Sequence, residues 1–382
     1  MELWGPFAQI VTLRHLPATG RLYDTQLELI PFGGISIEND LIKEVKPYAE
    51  FIGTYNKKAV PFPSVVLPGF IDCHTHLFFS RHKAAEFTLF LSGKSRKEIA
   101  HLGGDKKSTI KAIHSSNQLK SLLEKRLSHF IKQGITTIEV KTTYTEDIEE
   151  DLSQLEILKN LSAHLDLVST FHLLKPLHPE KIKSLQLIRA YTNRLDINLE
   201  EYSLEEYSEL LEKAVQLGFE LHAHANAEGT LMAASANFKT VSPLNSTTQE
   251  ILFALKNRHV MPILTPGSSL GQGIPFSSAR EILNHGLSIA IASDTNPDTS
   301  PMGHLLTQAA LLATYEKLTH AETFAGITLN AARALNLNDR GVLDKGKIAD
   351  FVIFPTEDYR EIIYHQGQMA PVMTVKKGLV AH

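Results

Sequence analysis

The chain lacks the features that mark secreted, membrane-spanning or nucleic-acid-binding proteins. Its 382 residues include one cysteine, Cys73, so no internal disulfide framework can form and a reducing compartment is expected. No run of 18 apolar residues occurs, which excludes a spanning helix, and the N-terminal segment lacks the pattern of a signal peptide. A net charge of −4 offers no basic surface for nucleic acid. We therefore expect a cytoplasmic protein that acts on a small molecule and has no nucleic-acid or membrane partner.

Both chain ends contain short strand-like segments separated by turn residues. Hydrophobic residues make up 43% of the sequence, which is enough for a large core beside these strands. The segments are LELI and GISIEN near the N-terminus and GVLDKGKIADFVIF and VMTVKKGLVAH near the C-terminus. They predict one small β-sandwich domain, built from residues 1–64 and 341–382 together.

Residues 65–340 alternate between strand and helix patterns. Amphipathic helical stretches, several of which end at a glycine, separate eight strand-like segments. These segments are 65–74, 135–140, 165–173, 196–200, 219–224, 238–241, 259–264 and 287–293. Eight strands interleaved with helices over this length predict an α/β fold, a (β/α)8 TIM barrel.

Histidine and aspartate residues fall at the ends of three predicted barrel strands. His74 and His76 lie two residues apart, so both imidazoles face the same side of the first strand. His222 falls near the end of the fifth strand, and Asp294 ends the eighth. Barrel enzymes build their active sites at the carboxyl ends of the strands, and three histidines with one carboxylate suit zinc or a similar ion. Asp294 taken alone could also be the N-cap of a following helix.

Together these motifs resemble the amidohydrolase superfamily. The resemblance includes PGFIDCHTHL at residues 68–77, the histidine of the fifth strand, the aspartate of the eighth, and G-x-L-x-x-G-K-x-A-D at 341–350. Within the superfamily the chain is most similar to the imidazolonepropionase family. That similarity covers nearly the whole chain and includes LSGKSRKEI at 91–99, GITTIEVKTTY at 134–144, ELHAH at 220–224 and ASDTNP at 292–297.

The resemblance implies a hydrolase that opens a cyclic amide. In that family, water opens the ring of 4-imidazolone-5-propanoate to give N-formimino-L-glutamate, a step of histidine degradation. The chain is therefore expected to hold one divalent ion, zinc or iron, on His74, His76, His222 and Asp294. Asp294 is expected to pass the proton of the attacking water to the leaving nitrogen. The resemblance also implies a homodimer.

The family also points to residues that would contact the substrate. A cationic side chain is expected to hold the substrate's propionate. Lys175 could instead be the modified bridging lysine of a two-metal site, but its place on the third strand favours one metal. The residues expected to bind substrate are Arg81, Lys83, Arg96, Tyr144, Lys175, His224 and Asn296.

Several family positions carry a different residue in this chain. The histidine of the sixth strand that helps to activate water corresponds to Asn245, which cannot act as a base. The polar residue three positions after the metal-binding histidine corresponds to Ala225. These changes leave open two alternatives to the family reaction. One is an amidohydrolase or deaminase for another cyclic amide or amidine, and the other is a catalytically silent homologue that acts as a binding protein.

Overall fold

The computed structural model describes residues 1–102, 116–143, 147–161 and 164–382. The strands are β1 (Glu2–Val11), β2 (Leu29–Glu38), β3 (Leu41–Pro47), β4 (Asn56–Lys58), β5 (Val65–Pro68), β6 (Phe70–Asp72), β7 (Ile135–Lys141), β8 (Asp166–Leu173), β9 (Arg194–Asn198), β10 (Glu220–His224), β11 (Thr240–Ser242), β12 (Met261–Leu264), β13 (Ala290–Ile291), β14 (Phe351–Phe354), β15 (Met373–Lys376) and β16 (Leu379–Val380).

The helices of the described residues connect the barrel strands or follow them. They are α1 (Ala84–Leu91), α2 (Arg96–His101), α3 (Ser116–Lys132), α4 (Ile148–Asn160), α5 (Pro179–Ile182), α6 (Leu185–Ile188), α7 (Ser208–Gln216), α8 (Ala227–Ser235), α9 (Gln249–Arg258), α10 (Pro266–Gln272), α11 (Ala279–Asn284), α12 (Leu305–Glu316), α13 (His320–Gly326), α14 (Leu329–Ala334) and α15 (Arg360–Tyr364). None of these helices has the length and apolar character that crossing a membrane requires.

Strands from both chain ends form one eight-stranded sheet. Its order is β16-β15-β14-β5-β1-β2-β3, and β4 pairs with β1. β14 runs antiparallel to β5, so backbone hydrogen bonds join the C-terminal part of the domain to the N-terminal part. The sheet has its own core, in which the rings of Trp4 and Phe351 pack edge to face at 5.4 Å. The predicted small β-domain at the two ends is therefore present.

The second sheet is the barrel. Strands β6 to β13 lie side by side in chain order, and all their pairs are parallel. Two backbone hydrogen bonds join the segments that follow the first and the last strand. Asp294 N donates to His74 O, and His76 N donates to Thr295 O, both at 3.0 Å. Each predicted strand segment overlaps one of these eight strands, which confirms the (β/α)8 barrel.

The predicted strand at 65–74 is divided between the two sheets. Val65–Pro68 belongs to the small domain, and Phe70–Asp72 is the first barrel strand. The change falls at Gly69, where a Cβ would lie 2.4 Å from Thr136 Oγ1. Glycine therefore allows the chain to pass close to the neighbouring barrel strand. Apolar residues continue through both strands, so the hydrophobic pattern does not mark the division.

The main hydrophobic core lies between the barrel strands and the helices. On α3, Leu119, Leu123 and Leu127 are buried at intervals of four residues and belong to the same core as Ile138 of β7. This spacing places them on one face of the helix. The helices thus fix the barrel from outside, while the strand ends remain available for polar side chains.

Candidate metal centre and substrate cavity

Three histidines and an aspartate lie together at the carboxyl ends of the barrel strands. His74 and His76 follow β6, His224 ends β10, and Asp294 follows β13. Nε2 of His74 lies 3.1 Å from Nε2 of His224. Oδ1 of Asp294 lies 3.7 Å from Nε2 of His74 and 3.6 Å from Nε2 of His76. Ligand atoms of the three histidines all lie within 4.8 Å of one another.

The chemistry of these four side chains fits a metal ion. Burial lowers the pKa of His74 and of His76 well below the usual value, so both rings are neutral near pH 7 and can offer a nitrogen lone pair. Burial raises the pKa of Asp294 to about 6, against the opposing effects of His224 and Ser268. Three imidazole nitrogens and a neighbouring carboxylate oxygen are ligand types that can hold a divalent transition metal.

Asp294 has an unusual backbone conformation. Its φ is 48°, in the left-handed region, which aspartate and asparagine tolerate better than most other residues. Asn296 Nδ2 donates to Asp294 O at 2.7 Å, and Asp294 N donates to His74 O. These contacts on both sides of the residue fix its backbone, and so the carboxylate faces the histidines.

The structure does not bring His222 into this cluster. Its Nδ1 lies 2.8 Å from Thr240 Oγ1 and 3.4 Å from the Arg194 guanidinium. Both His222 and His224 face the barrel interior, because they are two residues apart on β10. His224 is the last residue of the strand, whereas His222 lies deeper and pairs in register with Asp196. Residue alternation alone cannot separate the two, since position along the strand decides which ring reaches the other histidines.

A buried group of charged residues lies beside His224. Nδ1 of His224 lies 2.9 Å from Oδ1 of Asp196, and Nδ1 of His172 lies 3.6 Å from the same oxygen. Lys141 Nζ donates to Oδ2 of Asp196 and, at 3.1 Å, to Oε1 of Glu139. Burial alone would raise the pKa of Asp196, but Lys141 and His224 outweigh this effect and hold the pKa well below its usual range. Asp196 is therefore ionised.

The sequence interpretation missed these interior residues. Their signal is a charged or histidine side chain within a strand-like stretch, as in ITTIEVK of β7 and RLDIN of β9. Such residues must face the barrel interior and find partners there, because a lone buried charge is costly. The residues are Glu139, Lys141, His172 and Asp196.

A cavity of about 710 Å³ opens onto the histidine cluster. His76, His224 and Asp294 line it, together with apolar residues of α1 and α2 such as Phe90 and Ile99. This volume and the mixture of apolar and polar lining are typical of a small-molecule site. The position agrees with the rule that barrel enzymes use the carboxyl ends of their strands.

Three of the residues predicted to bind substrate line this cavity, namely Lys83, His224 and Asn296. The Lys83 side chain is 4% exposed and forms an ion pair with Asp298 in the cavity wall. Asn245, at the position of the family histidine, also lines the cavity. The cavity is thus lined by one of the predicted cationic side chains, Lys83, and by Asn245, which replaces the family histidine.

The other predicted substrate residues are placed differently. Arg81 is exposed and pairs with Glu86 at 2.8 Å. Lys175 is exposed in the bend after β8 and is not among the described residues that line the cavity. Arg96 begins α2, but its side chain lies outside the described part of the chain, and Tyr144 lies outside the described residues altogether.

Comparison with known proteins identifies the family of this chain. The model of the amidohydrolase family matches residues 65–380, and the chain therefore belongs to the amidohydrolase family. Its relatives include the imidazolonepropionase of Solibacter usitatus, which is 32% identical over 94% of this chain and 93% of the relative. The imidazolonepropionase of Bacteroides thetaiotaomicron is 31% identical over 98% of this chain and 97% of the relative. These findings confirm the resemblance that the motifs indicate.

Solved structures show the same fold at much lower identity. An adenosine deaminase from Xanthomonas campestris with bound zinc has a TM-score of 0.72 at 14% identity, covering 99% of this chain and 92% of that protein. A guanine deaminase from C. acetobutylicum with bound guanine has a TM-score of 0.72 at 12% identity and covers 99% of both chains. At this identity the likeness extends to the fold alone.

Proposed function

We propose that the chain is a metal-dependent hydrolase that opens the ring of 4-imidazolone-5-propanoate. Water adds across the cyclic amide C–N bond, and the product is N-formimino-L-glutamate. The observation that carries the proposal is the cluster of His74, His76, His224 and Asp294, three of which line a small-molecule cavity. The imidazolonepropionase relatives, which align over almost the whole chain, support this substrate.

The proposed ligands of one divalent ion are His74, His76, His224 and Asp294. This set differs from the sequence expectation in one position, His224 in place of His222. Zinc and iron both suit three imidazoles and a carboxylate. When bound, such an ion supplies Lewis-acid chemistry, since it polarises a carbonyl and makes water nucleophilic at neutral pH.

Asp294 is the proposed proton carrier. Its carboxylate takes the proton of the attacking water and donates it to the ring nitrogen that leaves, so the same group acts first as base and then as acid. Asn245 can hydrogen-bond the substrate but cannot transfer a proton near pH 7, so this role falls on Asp294.

Lys83 is the proposed partner of the propionate group. Among the described residues that line the cavity, it is the only lysine or arginine. An ammonium and a carboxylate form a charge-assisted hydrogen bond. Asp298 already contacts Lys83, and it would share that ammonium with the substrate.

The test combines metal analysis with turnover of 4-imidazolone-5-propanoate. We expect wild type to contain about one equivalent of metal, and Asp294→Asn to lose turnover by about 10²–10⁴-fold. Asp166→Asn, at the amino end of β8, is the matched control and should keep the wild-type rate. A metal-loaded wild type that leaves this substrate intact but hydrolyses another cyclic amide or an amidine would favour the alternative substrate class. No turnover of any member of that panel would favour a binding protein.

We also propose a cytoplasmic location and a homodimer. A single cysteine, which is buried and free, agrees with a reducing compartment. The dimer rests only on the family resemblance, and a sedimentation mass equal to one chain would contradict it.

A further inference from the structure

We propose that Asp196 is a positioning residue that sets the tautomer and orientation of His224 for metal binding. The inference rests on the proposed metal-dependent function and adds to it a residue outside the ligand set. Asp196 lies on β9, next to the strand that carries His224. It contacts Nδ1 of the His224 imidazole, whereas His74 faces Nε2 of the same ring.

The two ring nitrogens of His224 face different partners. Nε2 lies 3.1 Å from Nε2 of His74, and Nδ1 lies 2.9 Å from Oδ1 of Asp196. The Lys141 ammonium contacts the other oxygen of this carboxylate, so Asp196 is placed as a hydrogen-bond acceptor and the ring proton belongs on Nδ1. The lone pair that a metal can use is then on Nε2, the nitrogen that faces His74. Metal-binding histidines commonly donate their other N–H to a carboxylate in this way.

Neighbouring strands hold Asp196 in place. Lys141 of β7 donates to Oδ2 and also bonds to Glu139. Oδ1 faces His224 Nδ1 at 2.9 Å, nearer than His172 Nδ1 at 3.6 Å. Thr170 Oγ1 of β8 donates to Oε1 of Glu139 at 2.6 Å. The side chains of Asp196 and Lys141 are each 2% exposed. The carboxylate is therefore fixed by a buried network that spans β7, β8 and β9, and it can orient the ring with little freedom.

A second metal ion is the competing interpretation of the same residues. Ligand atoms of His172, Asp196 and His224 also lie within 4.8 Å of one another. The ammonium of Lys141 contacts Asp196 directly, and a cation placed there would be repelled at short range. Oδ1 is within 2.9 Å of His224 Nδ1, which favours a hydrogen bond over a ligand role. We therefore expect one bound ion and not two.

The affinity test uses metal-stripped protein and zinc, measured by competition with a chelator. Asp196→Asn keeps the size of the side chain and removes its charge, and we expect the zinc affinity to fall by about 10–100-fold. Asp350→Asn is the matched control, because Asp350 is also a buried carboxylate bonded to a lysine, Lys376 Nζ at 2.6 Å. Asp350 lies in the small domain, directly before β14, so the zinc affinity of Asp350→Asn should equal that of wild type even if the melting temperature of the variant falls.

A measurement on wild type tests the same proposal without a variant, and therefore holds even if Asp196→Asn does not fold. In zinc-loaded wild type, nitrogen-15 NMR should show the His224 proton on Nδ1, protected from exchange with solvent. A proton on Nε2 would overturn the proposal, as would zinc affinity in Asp196→Asn equal to wild type. Binding of two zinc ions by wild type would also overturn it. If wild type binds no zinc, the proposed metal-dependent function itself is contradicted.

Discussion

Single substitutions at the two histidines of β10 test the ligand set at the scale of one residue. We expect His224→Asn to lose the metal and the turnover together, because its Nε2 lies among the nitrogens of His74 and His76. We expect His222→Asn to keep about one equivalent of metal, because its ring contacts Thr240 and Arg194 instead. Metal analysis and the hydrolysis rate of both variants provide the measurement.

The folded fraction of each variant serves as the control for this pair. His222→Asn loses a buried hydrogen bond, which costs about 1 kcal/mol of unfolding free energy, so its melting temperature should fall without loss of metal. If His224→Asn kept the metal and His222→Asn lost it, the ligand would be His222, as the sequence predicts, and not His224.

The cavity lysine gives a second prediction at this scale. Lys83→Met should raise KM for 4-imidazolone-5-propanoate by about 10–100-fold, because a charge-assisted hydrogen bond contributes about 1.5–3 kcal/mol, and should leave kcat nearly unchanged. Asp298→Asn removes the competing carboxylate, so KM should stay equal or decrease. Steady-state kinetics of both variants measure KM and kcat. An unchanged KM in Lys83→Met would exclude this residue as the propionate partner.

Sequence patterns predict some residues of the site but not the residues whose role depends on contacts between strands. The strand-end rule selects His74, His76 and Asp294, and the structure brings these three side chains together. Their ligand roles stay predictions. Alternation along β10 leaves His222 and His224 equivalent, because both face inward. Asp196 is not selected by any motif, since its contact with His224 joins two strands that are separated by a helix along the chain.

At the scale of secondary-structure elements, an ion-pair network joins barrel strand β8 to strand β15 of the small domain. Asp166 accepts from Arg340 Nη1 at 2.5 Å and from Lys376 Nζ at 2.7 Å. Burial would raise the pKa of Asp166, but Lys376 and Arg340 outweigh that effect and hold the pKa well below its usual range. The ionised carboxylate is therefore favoured in the folded protein over the unfolded chain.

This depressed pKa predicts how the stability changes with pH. A carboxyl group whose pKa is lower when folded stabilises the protein above its unfolded pKa of about 3.9, and this stabilisation declines as the pH falls toward the folded pKa. Asp166→Asn should therefore lower the free energy of unfolding by about 1–2 kcal/mol at pH 7, a value reduced for partial exposure. The difference from wild type should shrink below about pH 4.

Urea denaturation at several pH values measures this difference. Glu38→Gln is the control, because Glu38 pairs with Lys43 on the surface and both side chains are about half exposed, so its effect should be small. A deficit in Asp166→Asn that stays constant from pH 7 to pH 3 would contradict the assigned cause.

The elements themselves follow from the sequence more closely than their boundaries do. All eight predicted barrel segments contain or overlap a strand, because strand and helix periodicities differ clearly in this chain. The segment 65–74 shows where periodicity fails. All residues of both strands in this segment are buried, so no exposed polar position shows where the chain passes from the small domain to the barrel at Gly69.

At the scale of the whole molecule, metal binding should stabilise the fold. An ion that binds only the folded state adds RT ln(1 + [M]/Kd), about 2.7 kcal/mol when free metal is a hundred times Kd. A strong chelator should therefore lower the melting temperature of wild type. Asp294→Asn, which lacks one proposed ligand, should respond much less. Calorimetry of both proteins with and without chelator measures this, and an equal response would show that the chelator acts elsewhere.

The closing hydrogen bonds of the barrel connect residues that are far apart in the sequence. Asp294 N donates to His74 O, and His76 N donates to Thr295 O. These two amide protons can exchange with deuterium only when the first and last strands separate. Because proposed ligands lie on both sides of this junction, a bound ion would resist its opening. The exchange rates of these two amides would then report, from within the backbone, whether the metal site is filled.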